Sequence, residues 1–370
     1  MPVRTYLYVG CCNRPTPYFA SANGRGIAAF VFDEASGAAE PLGVTEGIDN
    51  PTFLSVDGDG RALHANSEVF GWDEGTVSAY AVDLASGALA YLEKQPSRGS
   101  ITAHHSRDRT GRFLLVANYG MGPVEGRPNR SLAILPIRAG GGLAPAVAEA
   151  THHGQGPDAG RQERPHAHCV LATPDNRFLA VADLGIDQLV LYRFDAATGA
   201  IEPAGALDLP PGCGPRHFVF DAAGRFAYLV NELGSSVASL RFDAAAGAFS
   251  LLGLELTVPA AAAGSNHCSE IRLSPAGRFL YVANRGHDSL SILRIDADGR
   301  AVLQGTVPSG GRTPRHFAFD PSGRFLAVAN QDSDRISLFA VDAATGALVP
   351  TGRDIATGTP TCIAFCRIET

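Results

Sequence analysis

The stretch GRFLLVAN at 111–118 returns as GRFAYLVN at 224–231, GRFLYVAN at 277–284 and GRFLAVAN at 323–330. A variant, NRFLAVAD, occupies 176–183, and a weaker one, GRALHANS, occupies 60–67. Successive copies begin 51, 65, 48, 53 and 46 residues apart. Self-similarity at that period is the mark of a repeat architecture, and about fifty residues is the length of one propeller blade.

Around each copy the pattern is the same. An apolar strand such as HFVFD (217–221) precedes the AAGR turn, and FAYLVN follows it. A third strand, SVASLRFD (236–243), an Ala/Gly turn and a fourth strand, FSLLG (249–253), complete the unit. Short runs of Val, Phe, Leu and Tyr bounded by Gly and Asp read as strands, with no helical periodicity. The turn DAATGAIEP after Phe194 returns as DAATGALVP after Val341 and as DLASGALAY after Val82, each time linking third and fourth strands.

The N-terminal stretches TYLYVG, GIAAFVFD and AAEPLG supply only second, third and fourth strands. The missing first strand stands at the other end, where TPTCIAFC (359–366) aligns with TPRHFAFD (313–320). The expected fold is therefore all-β: one seven-bladed β-propeller domain over 1–370, with four antiparallel strands per blade. The C-terminal strand closes the ring in the N-terminal blade, which removes an exposed edge. The blades fall at 1–49 plus 358–370, 50–99, 100–155, 164–210, 211–258, 265–311 and 312–357. The widest interval holds a loop-like insertion, GQGPDAGRQER (154–164), and PAAAAGSNHC (259–268) is a second irregular stretch.

Composition fits a folded protein with a large core: 45% hydrophobic and 18% charged residues. A net charge of −7 argues against nucleic acid as partner. The start MPVRTYLYVG enters a strand pattern without a leader-like apolar segment, and no stretch is long enough to span a bilayer, so a cytoplasmic protein without a membrane partner is expected. The seven cysteines show no CxxC pair or zinc spacing and read as reduced, buried thiols.

In an antiparallel blade the start of the first strand and the end of the second lie at one mouth of the propeller. Alignment on the repeat gives two rings there. The first-strand ring reads Thr52, Ala103, His168, Arg216, Ser269, Arg315 and Thr361. The second-strand ring reads Cys12, Glu68, Tyr119, Leu184, Glu232, Arg285 and Gln331. A single Arg or Glu at such a strand end more often satisfies backbone groups. Blades four to six, however, bring His168, Arg216, Glu232 and Arg285 side by side, and these are the candidate catalytic residues. His166, Arg315, Gln331 and Glu68 are candidate substrate-binding residues, although Glu68 has no cationic neighbour on its own blade. His217 and His316 belong to the PRHF motif, would alternate away from Arg216 and Arg315, and are read as structural; His267 occupies a related position.

These residue types suit an anionic substrate with an ester-like carbonyl. Arginine offers a forked donor for carboxylate or phosphate and a permanent charge for a developing oxyanion. Glu232 beside two arginines should stay ionised, as a base that activates water must. His168 could share the proton transfer or donate to the oxyanion. There is no nucleophile elbow and no phosphate-binding GxxxxGK loop. His166 and His168 alone are an incomplete metal ligand set, so no metal or cofactor is expected.

Five motifs, PHAHCV (165–170), ADLGIDQLVLY (182–192), GPRHFVFD (214–221), VNELGSSV (230–237) and ANRGHDSL (283–290), resemble those of the propeller lactonase family. That family contains bacterial 6-phosphogluconolactonase and the fungal carboxy-cis,cis-muconate lactonizing enzyme. The likeness covers nearly the whole chain. It implies an active site of one histidine, two arginines and a glutamate at one mouth, matching His168, Arg216, Glu232 and Arg285, and a metal-independent reaction. The implied activity is hydrolysis of an anionic sugar lactone, 6-phosphogluconolactone first, by a monomer or weak homodimer. Aldonic or aldaric 1,5-lactones, cycloisomerisation of a carboxymuconate and a non-catalytic scaffold are the alternatives. Departures from the family pattern occur at Cys11-Cys12 and at the GQGPDAGRQER insertion.

Overall fold

In the computed structural model, which describes residues 3–19, 21–122 and 125–369, the repeat forms seven four-stranded antiparallel sheets, the blades of a closed propeller. The first blade takes its innermost strand from the C-terminus: Pro360–Glu369 pairs with Val3–Cys11, followed outward by Gly26–Phe32 and Ala39–Thr45. The other six are consecutive in sequence, each meandering outward from the axis. Both the strand count and the closure agree with the pattern read from the repeat. Among the described residues no helix is long and apolar enough to cross a membrane, and the irregular 259–268 stretch holds only one helical turn, Ala260–Ala263.

Burial peaks at the second strand of each blade and falls off outward. Second strands such as Phe113–Asn118, Phe178–Asp183 and Phe325–Asn330 are buried at every residue, because both faces meet neighbouring blades. Outer strands such as Ala39–Thr45 are mostly exposed.

The Gly-Arg-Phe motif has a physical role in this packing. Its glycine turns the chain with positive φ, as at Gly224 (67°), while Asp221 accepts from the amides of Arg225 and Phe226 at 2.7 and 2.8 Å. The phenylalanine then slides under the glycine of the next blade's outer turn. A Cβ on Gly247 would stand 2.1 Å from the Phe178 ring, one on Gly299 2.4 Å from Phe226, and one on Gly346 2.6 Å from Phe279. The arginine lies over its own phenylalanine and donates to carbonyls of that same turn: Arg112 to Ala196 and Ala197, both 2.6 Å, Arg177 to Ala244 at 3.2 Å, and Arg278 to Ala343 at 2.5 Å. The last blade grips the first identically, with Arg324 donating to Ala35 at 3.1 Å and Phe325 beneath Gly37. All seven cysteines are free and buried.

This latch predicts a position-dependent cost. Gly346→Val combines positive φ (75°) with a clash against Phe279 and should destabilise by about 3 kcal/mol. Gly352→Ala, with similar φ (74°) but nothing within 4 Å, should cost only about 1 kcal/mol. Urea denaturation midpoints of the two variants measure the difference.

Candidate active site

The first-strand ring stands on β-bulges. In the fourth blade Ala167 pairs with Asp183 and Cys169 with Ala182, leaving His168 as the extra residue. Arg216 is skipped likewise between Pro215 and His217, and Arg315 between Pro314 and His316. Ala103 occupies the same place in the third blade. A bulge re-aims one side chain and restores the register behind it. His168, Arg216 and Arg315 thus turn into the mouth, and the residues after them return to the core pattern.

All eight candidate residues line one cavity of about 550 Å³ at this mouth: His168, Arg216, Glu232, Arg285, His166, Arg315, Gln331 and Glu68. Its lining includes the Glu232 carboxylate, 4% exposed. Arg216 Nε lies 3.0 Å and Arg285 Nη2 2.8 Å from its Oε2, while Arg161 Nη2 donates to Oε1 at 2.5 Å. Burial by itself would raise the Glu232 pKa, but Arg285, Arg161 and Arg216 together hold it well below the usual carboxylate range. Arg216 is fixed further by donating to the Ser269 carbonyl at 2.6 Å; burial and the charge of Arg285 press its pKa down to about 9, so it stays cationic at neutral pH. Arg285 donates to the carbonyls of His267 and Cys268 at 3.2 and 3.0 Å.

Arg161 is a functional candidate that sequence reasoning missed. It comes from the 154–164 insertion, outside both repeat-derived rings; the widest repeat interval was its only signal. Tyr119, a ring member not chosen for the site, also lines the cavity, stacks on His166 with centroids 4.1 Å apart and meets His168 edge-on at 5.8 Å.

Glu68 draws its cation from elsewhere in the ring. Its blade indeed carries no cation for it, but Arg315 reaches it from the seventh blade, Nη2 lying 3.2 and 3.1 Å from the two carboxylate oxygens. The intervening first blade places small residues, Cys12 and Thr361, at the ring positions, and the guanidinium passes over them. Tyr18 donates to Glu68 at 3.0 Å and Phe19 covers Arg315 at 5.1 Å. The cavity therefore has two charged poles, Glu232 with three arginines and Glu68 with one.

His166 and His168 do not converge on a common point. His166 uses Nδ1 on the Tyr119 carbonyl (2.8 Å) and Nε2 on Glu163 (3.3 Å). His168 is buried with no partner for Nδ1 among the described residues, and burial together with the Arg216 charge keeps its pKa well below the ordinary imidazole value. Among the described residues no group of three or more His, Cys, Asp or Glu side chains could hold a metal ion. Gln331 donates to Asp332 at 3.0 Å, and its buried carbonyl oxygen has no partner.

Below the cavity floor His217 packs edge-on to His168, with centroids 5.0 Å apart. Its Nδ1 lies 3.1 Å from Glu270, which also takes His316 Nε2 at 3.2 Å and Arg272 Nε at 3.2 Å. Neither His217 nor His316 lines the cavity, and both close the axis beneath it. Burial, opposed by Glu270, leaves the His217 pKa at about 4 and that of His316 at about 3.

The chain's similarity to known proteins is extensive. The family described as "Lactonase, 7-bladed beta-propeller" matches residues 6–365. A 6-phosphogluconolactonase of Bacillus subtilis (strain 168) is 32% identical over 348 residues, 94% of this chain and 96% of that protein. A second 6-phosphogluconolactonase, from Formosa agariphila, is 33% identical over 310 residues, 80% of this chain and 83% of its own length. The solved structure of a Pseudomonas aeruginosa periplasmic gluconolactonase superposes over 100% of both chains with a TM-score of 0.89 and 33% identity.

The buried imidazoles set a pH dependence. His168, His217 and His316 are neutral when folded but protonate at about 6.5 when unfolded, so below that pH the unfolded chain binds more protons. Their contribution is complete above about pH 6.5 and is lost as the pH falls toward the folded values, at up to about 1.4 kcal/mol per pH unit for each histidine. Urea stability should decline between about pH 6.5 and 4.5. His316→Gln should flatten that decline, and an unchanged slope would count against these protonation states.

Proposed function

Because the chain belongs to the seven-bladed β-propeller lactonase family, we propose that it hydrolyses an anionic sugar lactone, 6-phosphogluconolactone first among them, to the open-chain acid. The observation that carries this reading is the Glu232 carboxylate, buried among Arg216, Arg285 and Arg161 in the cavity lining. Two of its relatives bear the name 6-phosphogluconolactonase, and another is a gluconolactonase. The cavity, lined by five arginines and four carboxylates among the described residues, suits a ring with hydroxyls and one anionic substituent.

In the proposed reaction Glu232 takes a proton from water as the water oxygen attacks the lactone carbonyl. The carbonyl oxygen becomes an oxyanion, and Arg216 or Arg285, already fixed on backbone carbonyls, stabilises it without reorganisation. Collapse of the tetrahedral species breaks the ring C–O bond. The ring oxygen then receives a proton, either back from Glu232 or through neutral His168. Arg315 and Glu68 form the far wall, where a guanidinium and a carboxylate match sugar hydroxyls. The reading asks of the cavity no group beyond these side chains.

Glu232→Gln keeps the shape but removes the base and should lower kcat on 6-phosphogluconolactone by about 10²–10⁴-fold. Arg216→Ala should lower it by about 10²–10³-fold. Both are measured with a pH-indicator assay over phosphorylated, aldonic and aldaric lactones and a carboxymuconate. If both variants turn over every compound that the wild type opens at the wild-type rate, the assignment is wrong.

A further inference from the structure

Three arginines surround Glu232, but they are not held alike. Arg216 is anchored to the Ser269 carbonyl, and Arg285 to those of His267 and Cys268. The Arg161 guanidinium donates to no backbone carbonyl among the described residues; its partners are the Glu232 carboxylate and, at 3.4 Å, the Tyr119 hydroxyl, both reached from Nη2. Its side chain is 36% exposed, against 3% for Arg216 and 17% for Arg285. Of the three cations it is the one a solute can draw away.

The loop that carries it is firmly seated. Gln162, fully buried, donates to the Leu184 carbonyl and to Asp187 Oδ1, both at 2.8 Å. Asp187 also accepts from the amides of Gly212 and Gly214 at 2.7 Å each, in the segment leading to Arg216. The Asp158 carbonyl accepts from Arg161 N and Gln162 N. A fixed backbone thus presents a detachable side chain.

The carboxylate is divided by these contacts. Oε2 belongs to Arg216 and Arg285, and Oε1 to Arg161. A water to be activated needs a free carboxylate oxygen, and the docked Arg161 occupies the one that could be released.

We propose that Arg161 is a substrate-charge latch: the phosphate or carboxylate substituent of the bound lactone pulls its guanidinium off Glu232 Oε1, which frees that oxygen to act as base. The selectivity for anionic lactones then lies partly in activation and not only in affinity. A neutral lactone fills the same cavity but leaves the latch closed. This inference rests on the lactonase reading above.

The test compares wild type, Arg161→Ala and Arg161→Lys on 6-phosphogluconolactone and on uncharged glucono-1,5-lactone. Wild type should prefer the phosphorylated ring in kcat as well as in kcat/KM. Arg161→Ala should reduce that preference by about 10–100-fold, the equivalent of one charge-assisted hydrogen bond, and should raise kcat on the neutral lactone. Arg161→Lys should retain part of the preference. With wild type alone, inorganic phosphate should accelerate opening of the neutral lactone, and Arg161→Ala should not respond. If wild type opens neither these two compounds nor any lactone of the screen above, the lactonase reading itself fails. If wild type opens both and either shows no preference in kcat, ignores phosphate, or passes its full preference to Arg161→Ala, the latch is overturned while the lactonase reading stands.

Discussion

The propeller depends on the contact by which one blade grips the next: at five junctions an inner-turn phenylalanine lies under an outer-turn glycine, at four of these an arginine is tied across to that turn's carbonyls, and Tyr6 under Gly87 and Ala62 against Gly141 serve the other two. Sheets that meet only through interdigitating apolar side chains could slide or splay. Here the latched junctions also have a fixed depth, because the glycine admits the ring and any Cβ would expel it, and, where the arginine is tied, a fixed azimuth, because the guanidinium reads backbone carbonyls. The repeated string in the sequence is the record of this contact. It extends across the closure, where the last blade grips the first with Phe325 under Gly37.

That dependence explains why the fold was legible. Five blades use the same latch, so the same residues recur at the same place, and the missing first strand of the N-terminal blade follows by counting. The candidate site was legible to the extent that it obeys the repeat. His168, Arg216, Glu232 and Arg285 sit at ring positions, and the alignment brought them together. What the alignment could not express is the bulge beneath His168, Arg216 and Arg315. Strict alternation would place His217 and His316 opposite the mouth residues. The extra residue instead lets neighbouring side chains serve two levels, the cavity above and the Glu270 cluster below.

Two features escaped for reasons of geometry. Arg161 lies in the segment where the repeat lapses, and no comparison between blades can place a residue that has no counterpart. The Glu68–Arg315 pair joins blades two and seven across a first blade whose ring positions hold cysteine and threonine. A search for partners on adjacent blades overlooks it, since the partner becomes reachable only when the residues between are small. In each case the sequence contains the residue, and the closed ring supplies the neighbour.

The same rigidity bears on the chemistry. A carboxylate buried with three guanidinium groups carries a heavy desolvation cost, and such clusters are weak evidence for stability. In a pliable cavity the arginines would settle wherever they best neutralise Glu232, and nothing would remain for a substrate. Latched blades prevent that relaxation for Arg216 and Arg285, whose second contacts are to backbone that cannot follow the carboxylate. Their charge stays where an oxyanion would form, whichever way the carboxylate's own partners change. Arg161, supplied by a loop outside the repeat, has no such second anchor for its guanidinium among the described residues. The division between anchored and unanchored cations follows from which of them the propeller repeat supplies, and under the proposed latch it would let one carboxylate be held securely at rest and still be available as a base.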